Sequence, residues 1–307
     1  MPLLDAPRRH LLERAVSAAG LAADCILSYY GRDIAVASKG LDSHSGDVVT
    51  RADHEAQAII CKALGFTKAN EPLLDDVAYL AEEMDDHTDS ERFEKDYCFV
   101  IDPLDGTRGF LDHNNSFGVS IGLIKRDGTP VFGVAVLPGT GKRYVGIHKQ
   151  WTTEGERVLT PPPLESEELV LYVSEAEIFP QDRNRLWHHI CQVIQDETPI
   201  RKIRPKVIGS PVHKGCLTAD STVPALYLGL PRAEKGVSLW DLAAIAPIVT
   251  GAGGFVSDIY GKPLDLNRKQ STYVHHNGFV FCTHAVIARA AIRAAASFKP
   301  QASSSLF

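Results

Sequence analysis

The sequence has no C-x-x-C pair and no histidine at zinc-finger spacing from its six cysteines, Cys25, Cys61, Cys98, Cys191, Cys216 and Cys282. A zinc ribbon or a disulfide scaffold is therefore not expected, and reduced, mostly buried thiols are. There is no positive excess either. Lys and Arg total 32 against 38 Asp and Glu, a net charge of −6. A nucleic-acid coat or an anionic-membrane binder needs a dense basic field, so no nucleic-acid polymer and no membrane are expected as partners. Long apolar runs are missing too. The stretch from Leu242 to Ser257 holds Pro247 and three glycines and is too short to span a bilayer. Asp5, Arg8, Arg9, Glu13 and Arg14 precede any apolar stretch, so a signal-peptide core is absent and the cytoplasm is the expected location. With 307 residues, 44% hydrophobic and 23% charged, the chain fits a globular protein of one large or two medium domains.

Residues 8–30 place Leu11, Leu12, Ala15, Ala19, Ala22, Ala23, Ile26, Leu27 and Tyr30 at helical spacing, ended by Gly31. A polar, exposed loop is expected from Ser38 to Gly46. Thr50-Arg-Ala-Asp53 then has the pattern of a helix start. Tyr97 to Asp102 predicts a buried strand that ends where Pro103-Leu-Asp-Gly-Thr107 takes over. Residues 117–123, 131–137 and 143–147 predict antiparallel strands, the first two joined at Asp127-Gly128. The prolines at 161–163 mark a composition break. They place a junction between an α+β domain, 1–160, carrying most of the acidic clusters, and an α/β domain, 161–307, carrying Asp241. In the second half the spacing predicts strands at 169–174, 225–230, 254–258 and 278–283. Helices are expected at 182–195, from Asp241 and at 285–297, and a disordered tail at 301–307. The fold class is α/β with layered sheets and helices.

Four acidic clusters sit at element ends: Asp47-Val-Val-Thr-Arg-Ala-Asp53, Glu82-Glu83, Asp102-Pro-Leu-Asp105-Gly-Thr107 and Trp240-Asp241. In the third, a strand end delivers two carboxylates and a hydroxyl to one crevice. That donor set suits a hard cation such as Mg²⁺, because carboxylates do not adjoin cheaply without one. The same residues alone also fit an Asx-type turn with a helix cap. Aspartates three apart do not match the D-x-D spacing of phosphatases that use the first Asp as nucleophile. Taken singly, Asp241 reads as a cap and Glu82-Glu83 as a solvated pair. Their combination carries the chemistry.

In order and spacing, over about residues 10–290, these motifs and the following Gly253-Gly254 resemble the inositol monophosphatase superfamily of Mg²⁺-dependent, lithium-sensitive phosphomonoesterases. The resemblance implies a layered αβαβα sandwich of the inositol monophosphatase/fructose-1,6-bisphosphatase type, a homodimeric assembly and two or three Mg²⁺. It implies Glu82, Asp102, Asp105, Asp241 and the Leu104 carbonyl as metal ligands, with Asp102 bridging two ions. Thr107 with Glu82, or alternatively Asp53 with Thr50, would orient the attacking water. Gly106 and Thr107 amides would hold a phosphate oxygen, and Lys39 matches a lysine near a weaker third ion. Such a centre activates water and stabilises a leaving alkoxide, by positioning and charge rather than through a phosphoenzyme.

The substrate is expected to be a small phosphorylated metabolite. Arg108-Gly-Phe110 is closer to the 3′(2′),5′-bisphosphate nucleotidases than to the inositol monophosphatases, which implies conversion of 3′-phosphoadenosine 5′-phosphate to AMP and phosphate. Asp105, Gly106, Thr107, Ser210, Lys214 and Asp241 are the implied substrate contacts. The match departs in two places. The Ser210-to-Lys214 spacing is one longer, with His213 where the lysine would fall. Gly229 also replaces an arginine expected to grip a second phosphate, a loss that Arg232 or Lys235 would have to cover. An inositol or other polyol phosphate is the alternative substrate. An inactive metal-binding regulatory relative is the alternative of another class, against which the joint retention of Glu82, Asp102, Asp105, Thr107 and Asp241 argues.

Overall fold

The computed structural model describes residues 4–31, 36–38, 48–68, 70–84, 90–174, 181–231, 236–274 and 276–297. Asp5 caps the first helix by accepting the Arg8 N–H at 3.1 Å, and Pro7 fits its first turn, where no amide donor is needed. Helix α1 (Ala6–Tyr29) buries Leu11, Leu12, Ala15, Ala19, Ala22 and Ile26 along one face. Strands β1 (Val36–Ser38) and β2 (Val48–Thr50) pair antiparallel, and α2 (Arg51–Leu64) packs beside α1. There follow β3 (Val77–Ala81), α3 (Glu91–Glu94), β4 (Tyr97–Asp105), α4 (Thr107–Leu111), β5 (Gly118–Lys125), β6 (Pro130–Leu137), β7 (Lys142–Ile147), β8 (Trp151–Glu154) and β9 (Arg157–Val158). Strands β3 to β9 form one sheet in chain order, β3 and β4 parallel and the rest antiparallel.

Beyond the prolines come β10 (Glu168–Val173), α5 (Gln181–Glu197), β11 (Lys202–Val207), α6 (Pro211–Ala219), β12 (Ala225–Gly229), α7 (Leu239–Ala243), α8 (Ile245–Gly251), β13 (Phe255–Ser257), β14 (Phe279–Cys282) and α9 (Ala285–Ser297). The second sheet runs β11-β10-β12-β14-β13. Three apolar clusters glue the layers. One joins α1 and α2 to the first sheet through Ile26, Ile60, Phe99 and Phe132. Another fills the space between the sheets, around α6, α7 and α8, through Tyr144, Tyr227, Trp240 and Ile248. The last seals α5 and α9 onto the outer face of the second sheet. The order is helix, sheet, helix, sheet, helix: the αβαβα sandwich.

A lane of glycines sets how closely the middle helices approach the first sheet. Gly122, Gly133 and Gly146 are register partners on β5, β6 and β7. A Cβ on Gly133 would lie 2.0 Å from the Ala244 carbonyl oxygen, and one on Gly146 would lie 2.5 Å from Ile248 Cα. The helix backbone thus rests directly on the strands. Ser120 Oγ fastens it by donating to the Trp240 carbonyl at 3.0 Å, and Thr152 Oγ1 by donating to that of Ile248 at 2.6 Å. Pro247 has no N–H to give, which accounts for the break between α7 and α8 at Ala244.

Several expectations need correcting. β4 does not end at Asp102 but continues to Asp105. The long helix expected from Asp241 is two, the first starting at Leu239. Strands β3, β8, β9 and β11 and helix α6 were not anticipated. The expected tail, 301–307, and most of the 38–46 loop lie outside the described residues. All six cysteines are free, as expected, with Cys98, Cys216 and Cys282 buried. Among the described residues no helix is long and apolar enough to cross a membrane.

Asp220, at the end of α6, ties that helix to the first sheet. It accepts from Lys142 Nζ at 2.7 Å, from the Tyr144 hydroxyl at 2.9 Å and from Arg157. Burial pushes its carboxyl up, but these three donors outweigh burial and hold it below the ordinary carboxylate value. Asp220→Ala is expected to cost about 1–3 kcal/mol, chiefly because the buried Tyr144 hydroxyl loses its acceptor. A depressed folded pKa stabilises above the unfolded value, about 3.9, and that contribution is lost as the pH falls below it. Asp220→Asn keeps an acceptor but not the charge. Its deficit in urea midpoint should therefore be present at pH 7 and fade toward pH 3; a constant deficit would assign the effect to packing.

Candidate metal centre

Asp102 and Asp105 are three residues apart, a spacing that puts side chains on opposite faces of a regular strand. β4 is irregular at this point. Asp102 pairs with Ser120 and Asp105 with Gly118, so β4 takes one residue more than β5 over the same length. Pro103, which cannot donate to a ladder, lies inside the bulge. The side chains follow. Asp102 alternates with Ile101 and so shares the side of Val100 and Cys98, which belong to the middle core. Leu104 instead joins Phe99 and Ile101 beneath α1 and α2. Asp105 is thereby returned to the side of Asp102.

The next residues make the rim. Gly106 is left-handed at φ 80°, and a Cβ there would meet the Ser116 carbonyl oxygen at 2.4 Å, so no other residue turns the chain here without strain. Thr107 opens α4, and its hydroxyl donates to the Leu104 carbonyl at 3.2 Å. Asp241 arrives from the opposite layer. Its Oδ2 accepts the Ser238 N–H at 2.7 Å in a capping box, so it is a cap and a member of the cluster at once. Ser120, the register partner of Asp102, holds the Trp240 carbonyl next to it.

Carboxylate oxygens of Asp102, Asp105 and Asp241 all lie within 4.8 Å of one another. Asp102 is 1% exposed and Asp105 5%. The Leu104 N–H donates to Asp102 Oδ1 at 3.0 Å, while the buried Oδ2 has no hydrogen-bond partner among the described residues. Burial pushes the Asp102 carboxyl well above its ordinary value, and the charges of Glu82, Asp105, Asp241 and Asp53 push it further. Burial likewise raises Asp105, helped by Asp241 and opposed by donors from Ser210 and Val212 and by the charge of Lys214. Burial and Glu82 raise Asp241, again against Lys214. Dense negative charge, an orphaned carboxylate oxygen and oxygen-only donors fit a hard divalent cation.

Other predicted residues fall around this core. Glu82 lies outside the 4.8 Å set but beside it, its N–H on the Ile101 carbonyl at 3.1 Å. Asp53 is buried in the first turn of α2. Thr50 ends β2, its side chain outside the described residues, as are Lys39, Asp47, Arg232 and Lys235. Ser210, the N-cap of α6, and Lys214, within it, are both buried. The Lys214 ammonium donates to the Ile208 and Gly209 carbonyls at 3.1 and 3.4 Å and lies 4.9 Å from the centre of the Tyr227 ring. His213 Nδ1 is buried without a hydrogen-bond partner among the described residues. At Gly229 a Cβ would fall 2.2 Å from the Phe279 ring. The space an arginine would need there is filled. Ser120 and Ser238, which set Asp102 against Asp241, escaped the sequence reading. Ser238-Leu-Trp-Asp241 is a legible capping pattern, whereas Ser120 matters only through its register.

The chain matches the model of the inositol monophosphatase family over residues 8–295 and belongs to that family. Its members are phosphoric monoester hydrolases, and so is this enzyme; the family is Mg²⁺-dependent. The chain is 31% identical to an inositol-1-monophosphatase of Synechocystis sp. over 259 residues, 83% of this chain and 81% of that protein. It is 30% identical to the 3′(2′),5′-bisphosphate nucleotidase CysQ of Salmonella typhimurium over 274 residues, 85% and 96% of the two chains. The crystal structure of the extragenic suppressor protein suhB from Bartonella henselae shares the fold. Its TM-score is 0.68 at 23% identity, covering 94% of this chain and 99% of that one.

Proposed function

We propose that this phosphatase hydrolyses a small phosphorylated metabolite at the Asp102–Asp105–Asp241 cluster with two or three Mg²⁺. The observation that supports this is the approach of two buried carboxylates, Asp102 and Asp105, and the half-buried Asp241 within 4.8 Å of one another. Asp102, Asp105, Asp241, Glu82 and the Leu104 carbonyl would hold the ions. When bound, Mg²⁺ neutralises these carboxylates, lowers the pKa of water and stabilises the leaving oxygen. The protein's own groups do the positioning. Gly106 and Thr107 present amides at the start of α4, suited to a phosphate oxygen. The Thr107 hydroxyl, held toward Leu104, and Glu82 beside the cluster orient the attacking water; Asp53, buried in the first turn of α2, is the other candidate for that task.

For the leaving group, the Arg108-Gly-Phe110 motif and the CysQ relative favour a 3′(2′),5′-bisphosphate nucleotide such as 3′-phosphoadenosine 5′-phosphate. A second reading, a polyol or sugar monophosphate, has one observation in its favour. The Phe279 ring occupies the direction of any side chain at position 229, so no cation reaches a second phosphate from there. A panel of 3′-phosphoadenosine 5′-phosphate, inositol 1-phosphate, fructose 1,6-bisphosphate and NADP, compared by kcat/KM, separates them. A tenfold preference for inositol 1-phosphate would put the polyol ester ahead of the nucleotide, and no Mg²⁺-dependent release from any ester would favour an inactive relative.

Lithium should inhibit. Li⁺ is close to Mg²⁺ in size with half the charge, so it enters an oxygen-lined position without matching its electrostatics. Inhibition by LiCl is expected to be uncompetitive or mixed with respect to substrate. KCl at equal ionic strength should have little effect, and equal effects of both salts would point to screening instead.

A further inference from the structure

Ser210 is fully buried, and its hydroxyl is hydrogen-bonded on both sides within the protein. Its hydroxyl accepts the His213 N–H at 2.9 Å, capping α6, and donates to Asp105 Oδ2. The Val212 N–H reaches the same Oδ2 at 2.7 Å. A serine hydroxyl has one proton, and here it is committed to Asp105. The segment that carries Ser210 is pinned from behind. Lys214 Nζ grips the two carbonyls before it, at 3.1 and 3.4 Å, the Ile208 N–H meets the Val173 carbonyl at 2.9 Å, and the Ser210 N–H faces Ser116 Oγ at 3.4 Å. Gly106 abuts the same spot, since a Cβ on it would come within 2.8 Å of Ser210 Cβ.

We infer that Ser210 is a positioning residue for Asp105 and does not contact substrate: with the Val212 amide it ties up Oδ2 and leaves Oδ1 as the oxygen that Asp105 offers a cation. This rests on the metal-centre reading above. A carboxylate held by two donors on one oxygen cannot rotate to present the other face, so its single free oxygen is aimed before an ion arrives. Partners behind a metal ligand typically change metal affinity or activity 10–100-fold when removed. Lys214, buried behind the same segment, supports this placement and is likewise turned away from solvent.

The test uses the full chain and two variants. Ser210→Ala removes the hydroxyl. Ser210→Gly does so too while keeping a residue well tolerated at a helix N-cap, which protects the fold. Mn²⁺ binding without substrate is followed by the electron paramagnetic resonance of free Mn²⁺. KM for a phosphomonoester is then measured at saturating Mg²⁺, with melting temperatures as the fold control. Both variants are expected to bind Mn²⁺ about tenfold more weakly, with KM within twofold of wild type. Unchanged Mn²⁺ affinity with a raised KM in a folded variant would overturn the inference and make Ser210 a substrate contact. Wild-type protein that bound no Mn²⁺ would instead overturn the metal-centre reading, and this inference with it.

Discussion

Asp102→Asn is expected to abolish turnover while leaving the protein folded. Asp102 is the most enclosed of the three clustered carboxylates, and its Oδ2 is a buried oxygen with no hydrogen-bond partner among the described residues. An amide of nearly the same shape removes the charge and supplies an N–H₂ where a cation would otherwise sit. Without Mg²⁺ the variant should melt at a higher temperature than wild type, because repulsion among Asp102, Asp105, Asp241 and Glu82 is relieved. With Mg²⁺ the order should reverse, since only the wild type gains stability from binding. Retention of more than about a tenth of wild-type kcat at saturating Mg²⁺, roughly 1.4 kcal/mol in barrier, would remove Asp102 from the centre.

Gly133→Val is expected to have the largest effect on stability, roughly 3 kcal/mol or more in a denaturant titration. Its first carbon alone would sit 2.0 Å from a backbone oxygen of Ala244, and backbone cannot swing aside as a side chain can. The helices would have to lift off the sheet, breaking the close packing of the middle core. Because α7 carries Asp241, any variant that still folds should also need more Mg²⁺ for half-maximal activity. A midpoint within about 0.5 kcal/mol of wild type, the scale of an ordinary surface change, would mean that the helices can shift without cost.

Much of this was legible in the sequence, because the regular elements follow simple periods. The 3–4 spacing of Leu11, Ala15, Ala19 and Ile26 gave α1, and alternation from Phe117 to Leu137 gave the β5–β6 hairpin. What escaped has physical reasons. β11 contains Pro205, Lys202, Arg204 and Lys206, features that discourage a strand reading; among the described residues it is an edge strand paired with β10 alone, a place where proline and charge are tolerated. α6 is short, but Ser210-Pro211 was a readable cap and first-turn signal. Asp102, Asp105 and Asp241 were singled out as ligands from their motifs, and they do converge. That Ser120 holds the Trp240 carbonyl beside Asp102 depends on the register of β5 against β4 and on a helix distant in sequence, which no local pattern encodes.

The bulge in β4 makes the centre a matter of parity. Substitutions at Pro103 or Leu104 change what fills the bulge, but only its length decides where Asp105 faces. Were β5 to gain one residue between Gly118 and Ser120, β4 could keep all of its own and pair evenly with it, and the bulge would be gone. Asp105 would then turn into the dry core beneath α1 and α2, among Phe99, Ile101 and Phe117, and the sheet would stand without its metal site. The fold therefore tolerates at this point what the chemistry cannot. The sandwich needs strands of good pairing, and the site needs one strand to be odd.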